Sequence, residues 1–440
     1  MKFVGPSSKA AIDAPTDIFG RDQFANGLFN IFKTSDDPLV IALDDEWGTG
    51  KTVFARRMGS EAVKTDVKAI YYDAFKRDYN PDVFVSLVAE IIALEPKAEK
   101  TKELKEKAIG VAKVIGKTLL KGGIRLATAG AINSSGIDEA TKGIANEVGD
   151  TVEGEFDKFI DERLSNAAKE EMSFDAFRNS LSELVQKNDK GEIVPLLFII
   201  DELDRCRPDH ALELLETIKH LFSVPNVHFL LVTNLTQMRA SVNKRYGQNI
   251  DANLYLEKFI DLKVSFPKKL GAAHENALAK FIASIVSELP DDKENDKYKS
   301  VFVKYMQLIA MERSYSFRRI ERICTVFAVC LNFSHGKNFR LAPIVHILCD
   351  MKISNPSLFE VAKRGELNFD QLKNSYPFLR RDRSGFDWYA KWWEYCLASE
   401  KDAESDEWRT FGTALWEWNI DRKEIVTYLA NEIVEPMVKN

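Results

Sequence analysis

Apolar residues in the first 270 positions gather in short runs. Pro38–Leu43, Val67–Tyr72, Val194–Ile200 and Val227–Thr233 are mostly apolar from end to end, the pattern of strands buried on both faces. Helical spacing fills the intervals, at Thr52–Met58, Val83–Ile92 and Ala211–Phe222. Buried strands alternating with helices predict an α/β fold with a parallel sheet sandwiched by helices. After Pro267 the strand signal fades. Ala272–Leu289, Val301–Ala310, Phe317–Leu331 and Leu341–Met351 read as helices, and charged Pro290–Lys299 reads as a loop. The expected organisation is an α/β domain over 1–270 with a helical insertion at about 97–170, an α-helical lid or sensor domain over 271–355, and a Trp-rich helical region over 356–440.

Length and composition narrow the class. The chain has 440 residues, 45% hydrophobic and 29% charged, ordinary values for a globular protein of two or three domains. Its net charge of −6 excludes a wholly basic nucleic-acid coat protein. Five cysteines without a CxxC pair and six scattered histidines fit neither a disulfide framework nor a zinc site. The opening residues lack the apolar core of a secretion signal, and no run reaches the ~20 apolar residues that cross a bilayer. Together these features point to the cytoplasm.

The insertion begins with dense charge. From Glu95 to Arg125 there are nine Lys or Arg and four Glu, a local excess of +5, and Lys113, Lys117 and Lys121 recur every four residues, as on one helix face. A solvated helical hairpin explains this. A peripheral contact through 97–137 with an anionic membrane surface, or a contact with nucleic-acid phosphate, is the sharper alternative.

The strongest chemical signal is Leu43-Asp-Asp-Glu-Trp-Gly-Thr-Gly-Lys-Thr52, directly after the first strand and opening a helix. Gly48 and Gly50 let the backbone curl so that consecutive amides and the helix N-terminus form an anion cradle. Lys51 places an ammonium on the β- and γ-phosphates, and Thr52 offers a hydroxyl to Mg²⁺. Trp47, Gly48, Thr49, Gly50, Lys51, Thr52 and Val53 form the expected nucleotide-binding set. The strict pattern has a glycine where Asp45 stands, so a carboxylate lies near the phosphates unless it turns outward.

A second signal is Leu196-Leu-Phe-Ile-Ile-Asp-Glu-Leu-Asp-Arg205. It puts Asp201 at the C-terminal tip of a buried strand, where ligands sit in open α/β sheets. Asp201 is the expected second magnesium ligand, and Glu202 is placed to orient and deprotonate an attacking water. Asp204 supports this network or bridges to Arg205. A third signal is the polar end of the next strand, Val232-Thr-Asn234, where Asn234 either lies beside the γ-phosphate or caps a helix.

These residues together resemble the KAP family of P-loop NTPases, within the STAND- and AAA-like ATPases. The likeness covers most of the first 330 residues. Asp17-Ile-Phe-Gly-Arg21 looks like the family's box ahead of the first strand, and Glu46-Trp-Gly-Thr-Gly-Lys-Thr52 like its tryptophan-containing Walker A. Tyr72-Asp-Ala-Phe75 stands where the family has an Asn-Ala-Trp-like element. Ile200-Asp-Glu-Leu-Asp-Arg-Cys206, with Pro208 behind it, is similar to the Walker B extension. Tyr255-Leu-Glu-Lys-Phe-Ile260 followed by Pro267 is similar to the post-sheet segment, and Ser316-Phe-Arg-Arg-Ile-Glu-Arg322 to the basic helix start of the α-domain. The resemblance implies ATP as the nucleotide. It implies Arg318 as a sensor reaching the γ-phosphate, with ion pairing to Glu312 and Glu321 as the plainer reading. Arg205 and Arg207 could act as fingers in trans in a ring assembly. Many family members carry transmembrane helices between the two Walker motifs, and the insertion here has none, so this chain is expected to be soluble or peripheral. The family link to membrane-associated assemblies and bacterial phage exclusion implies a setting in antiviral defence.

Six of the seven tryptophans lie between Trp388 and Trp418. They are expected either to pack a small helical or winged-helix core, or to form an exposed anchor for a protein partner or self-assembly. The leading expectation for the whole chain is a magnesium-dependent ATP-hydrolysing switch or assembly ATPase with slow turnover. A nucleotide-gated scaffold with little hydrolysis is the alternative cued by Asp45. A nucleic-acid-dependent motor is a third, opposed by the acidic balance.

Overall fold

The computed structural model describes residues 17–80, 82–94, 98–112, 171–187, 193–267, 272–289, 295–333, 341–380, 387–398, 408, 411–412, 415 and 420–435. Lys113, Lys117, Lys121, Trp416, Trp418 and most of the expected insertion lie outside these residues. The chain divides into two compact units. One comprises Arg21–Glu46 and Lys51–Phe266; the other comprises Pro267–Asn440 with Trp47–Gly50 and the residues up to Gly20.

The first unit is built on a five-stranded sheet. Its strands are β1 (Val40–Asp44), β2 (Lys68–Asp73), β5 (Leu196–Asp201), β6 (Val227–Thr233) and β7 (Leu262–Val264), in the order β2-β5-β6-β1-β7. All the pairings are parallel. The short strands β3 (Gln186–Lys187) and β4 (Ile193–Val194) form a separate antiparallel ribbon. This is the α/β architecture expected of a P-loop NTPase.

Alternation along the strands serves both faces. Val40, Ala42, Ile70, Tyr72, Phe198, Ile200, Phe229 and Leu231 face one core with Phe84, Leu87, Leu215 and Phe222. Ile41, Leu43, Leu197, Ile199, Leu230 and Val232 face a second core with Phe29, Phe54, Ala55 and Met58. Phe198 and Phe229 stack with centroids 4.9 Å apart. Burial on both faces is why these strands read as unbroken apolar runs.

Two departures from expectation have clear causes. The segment after Tyr255 is not wholly beyond the sheet: β7 adds an edge strand beside β1, secured by the Val40 N–H donating to Asp261 Oδ2 at 2.8 Å. With three residues, two of them exposed, it leaves almost no apolar signature. In the insertion, residues 99–112 are helical, and Leu104, Ala108 and Val111 are buried in the first core. This stretch is therefore packed, not a solvated hairpin.

The second unit is helical. Its long helices are Ala272–Ser287, Asn295–Glu312, Phe317–Phe333 and Ala342–Ser354, followed by Pro356–Lys363, Phe369–Ser375 and Asp387–Leu397. One apolar core runs from Leu278 to Val434. The expected boundary between 355 and 356 falls at Asn355, which ends one helix and caps the next by accepting from the Leu358 N–H at 3.2 Å. Trp392, Trp393 and Trp408 are buried in this core, and the Trp393 Nε1–H donates to the Pro343 carbonyl at 3.1 Å. These three indoles pack the unit and form no exposed anchor; Trp388 is exposed. All five cysteines are buried, and none is in a disulfide. No helix among the described residues is long and apolar enough to cross a membrane.

Candidate functional site

The strand order decides which tips are neighbours. β6 lies between β1, which ends in the glycine-rich turn, and β5, which ends in Asp201. The polar end of β6 therefore stands between the two expected halves of the site. In the turn, Gly48 has φ +83° and Gly50 φ +85°, conformations open to glycine and strained for other residues. Helix Lys51–Glu61 starts directly after the turn. Trp47 and Val53 flank it as exposed side chains.

Lys51 is buried. Its Nζ donates to the Asp45 and Glu46 carbonyls, the latter at 3.0 Å. Burial pulls its pKa below the ordinary lysine value. The carboxylates of Asp204, Asp45, Asp44 and Asp201 oppose that pull. Asp45, in the place of a glycine, accepts the Glu46 N–H at 2.8 Å, so its carboxylate is folded onto the loop backbone. Asp44 accepts the Leu235 N–H at 2.9 Å, tying the end of β1 to the helix after β6.

Asp201 closes β5 and is buried. Tyr71 and the Glu202 amide hydrogen-bond its carboxylate, and the Thr52 hydroxyl acts on it as well. Burial pushes its pKa up, and these three donors counter the rise. Thr52 and Asp201, read from separate motifs as the two metal ligands, are thus neighbours that interact. A hydroxyl beside a buried carboxylate is the hard oxygen set that suits Mg²⁺ held jointly with substrate phosphates. No cluster of three or more His, Cys, Asp or Glu suited to a metal exists among the described residues.

Glu202 follows at φ +59°, an uncommon conformation for a residue with a Cβ and a frequent mark of functional turns. Burial raises its pKa; Arg205, whose Nη1 lies 3.1 Å from Glu202 Oε1, lowers it. Arg207 is engaged with Asp78, to which its backbone N–H and its Nε each donate at 3.0 Å. Both arginines considered as fingers in trans are therefore engaged within their own chain.

Asn234 caps helix Leu235–Tyr246. Its side-chain oxygen accepts from the Thr236 and Gln237 amides at 3.0 and 3.3 Å, leaving only its NH₂ group for a phosphate. Thr233 Oγ1 donates to Asp204 Oδ1 at 3.3 Å. Arg318 is exposed at the start of helix Phe317–Phe333, and its charge acts on half-buried Glu321. In the same compact unit, a Cβ added at Gly48 would lie 2.9 Å from Arg318 Cβ and 2.9 Å from Ser316 Oγ.

Sequence reasoning missed Asp44, Tyr71 and Arg56. Tyr71 and Asp201 are 130 positions apart, and only the β2–β5 pairing joins them.

A family model described as the KAP family P-loop domain matches residues 21–334. Among solved structures, the ORC2 protein of Aeropyrum pernix in its ADP form aligns at 12% identity over 97% of both chains, with a TM-score of 0.35. The ORC1 protein of the same organism, in complex with DNA, aligns at 14% identity over 93% of this chain and 86% of that one, also at 0.35. Likenesses this distant carry no functional weight. No curated protein matches the chain.

Proposed function

The chain belongs to the KAP family of P-loop domains, and on that footing we propose a magnesium-dependent ATPase whose nucleotide cycle drives a conformational switch or an assembly step. The observation that carries the reading is the interaction of the Thr52 hydroxyl with the Asp201 carboxylate. It joins the end of the glycine-rich turn to the tip of the acidic strand, with Lys51 among the same carboxylates.

In this reading the amides of residues 47–53 cradle the phosphates, and Lys51 bridges the β- and γ-phosphate oxygens. Thr52 and Asp201 hold Mg²⁺, which offsets phosphate charge when bound. Glu202 takes the proton of the attacking water. Asn234 donates its NH₂ to a γ-phosphate oxygen, and Arg318 is the candidate to stabilise the charge that develops there. ATP as the choice of nucleotide and a part in anti-phage defence follow from the family resemblance alone, and the cytoplasmic setting from the cysteine usage.

Phosphate release tests the proposal. The native chain should turn over slowly, and Lys51→Ala and Glu202→Gln should not turn over at all; equal rates in all three would remove the assignment. A second reading, a nucleotide-gated scaffold with little hydrolysis, is favoured by the Glu202–Arg205 ion pair and by Asp45 in the loop. Tight ATP binding by a native chain that releases no phosphate would select it.

A further inference from the structure

We propose that Tyr71 is the positioning residue that aims the Asp201 carboxylate at the metal, with Arg56 fixing Tyr71 in turn. The inference rests on the magnesium–nucleotide reading above and concerns how that site's protein ligand is oriented.

Four side chains converge by register and helical period. Tyr71 pairs with Ile199 across β2 and β5, and Asp201 lies two residues beyond Ile199, so both project from one face. Helix Lys51–Glu61 covers that face: a Cβ added at Gly59 would meet Tyr71 Cβ at 3.8 Å and Ile199 Cδ1 at 3.7 Å. Thr52 and Arg56 are four residues apart on this helix and share a side. Thr52 acts on the Asp201 carboxylate. Arg56 reaches Tyr71, its Nε donating to the phenolic oxygen at 3.2 Å.

The geometry at Asp201 shows what the phenol does. The Glu202 N–H donates to Oδ1 at 2.8 Å, and the Tyr71 O–H donates to Oδ2 at 2.8 Å. With a donor on each oxygen, the carboxylate plane cannot turn. The need for this is local: Asp73 pairs directly with Asp201 in the strand register, and like charges so placed repel. Arg56 Nη2, 3.9 Å from Asp73 Oδ2, and Lys76 Nζ, 3.3 Å from the same atom, draw that carboxylate aside. Arg56 thus steadies the phenol through one nitrogen and restrains the competing acid through another. Groups that orient a metal ligand in this way typically change metal affinity by ~10-fold or more when removed.

The test is Tyr71→Phe in the full chain, which keeps the ring and removes the hydroxyl. Binding of a fluorescent ATP analogue is titrated in EDTA and then against Mn²⁺, with free Mn²⁺ read by its paramagnetic resonance. Affinity in EDTA should stay near native while half-saturating Mn²⁺ rises ~10-fold. Arg56→Gln should move the Mn²⁺ midpoint in the same direction by less. A folded Tyr71→Phe with the native Mn²⁺ dependence overturns the proposal; if that variant does not fold, an unchanged midpoint in Arg56→Gln does so. Failure of the underlying site looks different: the native chain would not bind the analogue, or Asp201→Asn would leave the Mn²⁺ dependence untouched.

Discussion

Arg205 Nη1 lies 3.1 Å from Glu202 Oε1, so the residue placed to activate water is held by its own near neighbour. Both side chains are partly exposed, at 33% and 17%, which keeps such a pair near ~1 kcal/mol. Arg205→Ala should therefore raise basal phosphate release by up to ~5-fold, the rate equivalent of that energy. Steady-state turnover at saturating ATP checks this, and a fall would show that Arg205 assists the chemistry.

Gly48→Ala should be more damaging than its size implies. The new methyl meets Arg318 Cβ and Ser316 Oγ at 2.9 Å, and the backbone sits at φ +83°. Arg318 Cβ is fixed to its helix and cannot yield as a side-chain tip would. We expect nucleotide affinity to fall by at least ~10-fold, the scale of ~1.4 kcal/mol of backbone strain, measured by titration calorimetry.

Asn234 separates a cap from a catalytic contact. Asn234→Ala should lower stability by ~1 kcal/mol through the lost amide acceptor. Asn234→Asp restores that acceptor and places a negative oxygen where the NH₂ group was. If the NH₂ touches the γ-phosphate, Asn234→Asp will melt like the native chain and turn over poorly. Full turnover would confine the residue to capping.

His346 predicts the acid behaviour of the helical unit. Its Nδ1 lies 2.7 Å from the Tyr389 hydroxyl, and its Nε2 is buried without a partner among the described residues. Burial lowers its pKa to about 3. The unfolded chain binds this proton near the ordinary value of 6.5, so the contribution is intact above that pH. It is lost as pH falls from 6.5 towards 3, at up to ~1.4 kcal/mol per pH unit. Urea denaturation at several pH values should show the slope, and His346→Gln should flatten it.

The four longer strands and the glycine-rich turn were legible because each is a local pattern: burial on both faces removes polar residues from a run, and phosphate chemistry needs specific residues at fixed spacing. β7 was not, because an exposed edge strand of three residues has no pattern to read. The partners of Asp201 divide the same way. Thr52 was legible as the end of a motif. Tyr71 is one tyrosine of a pair in an apolar run, and only the register shows that it, and not Tyr72, faces Asp201; Tyr72 turns to the opposite core and donates to Ser86 at 3.0 Å. The tryptophans were ambiguous because indoles serve cores and interfaces equally well, and burial resolved three of them.

Five shielded thiols give the chain a built-in clock. Cys206 belongs to the sheet-based unit, and Cys324, Cys330, Cys349 and Cys396 belong to the helical one. A thiol-reactive dye can modify each sulfur only during a transient opening. Labelling kinetics resolved by mass spectrometry would thus time the breathing of each half separately, and ligand occupancy would register as a slower tick at position 206.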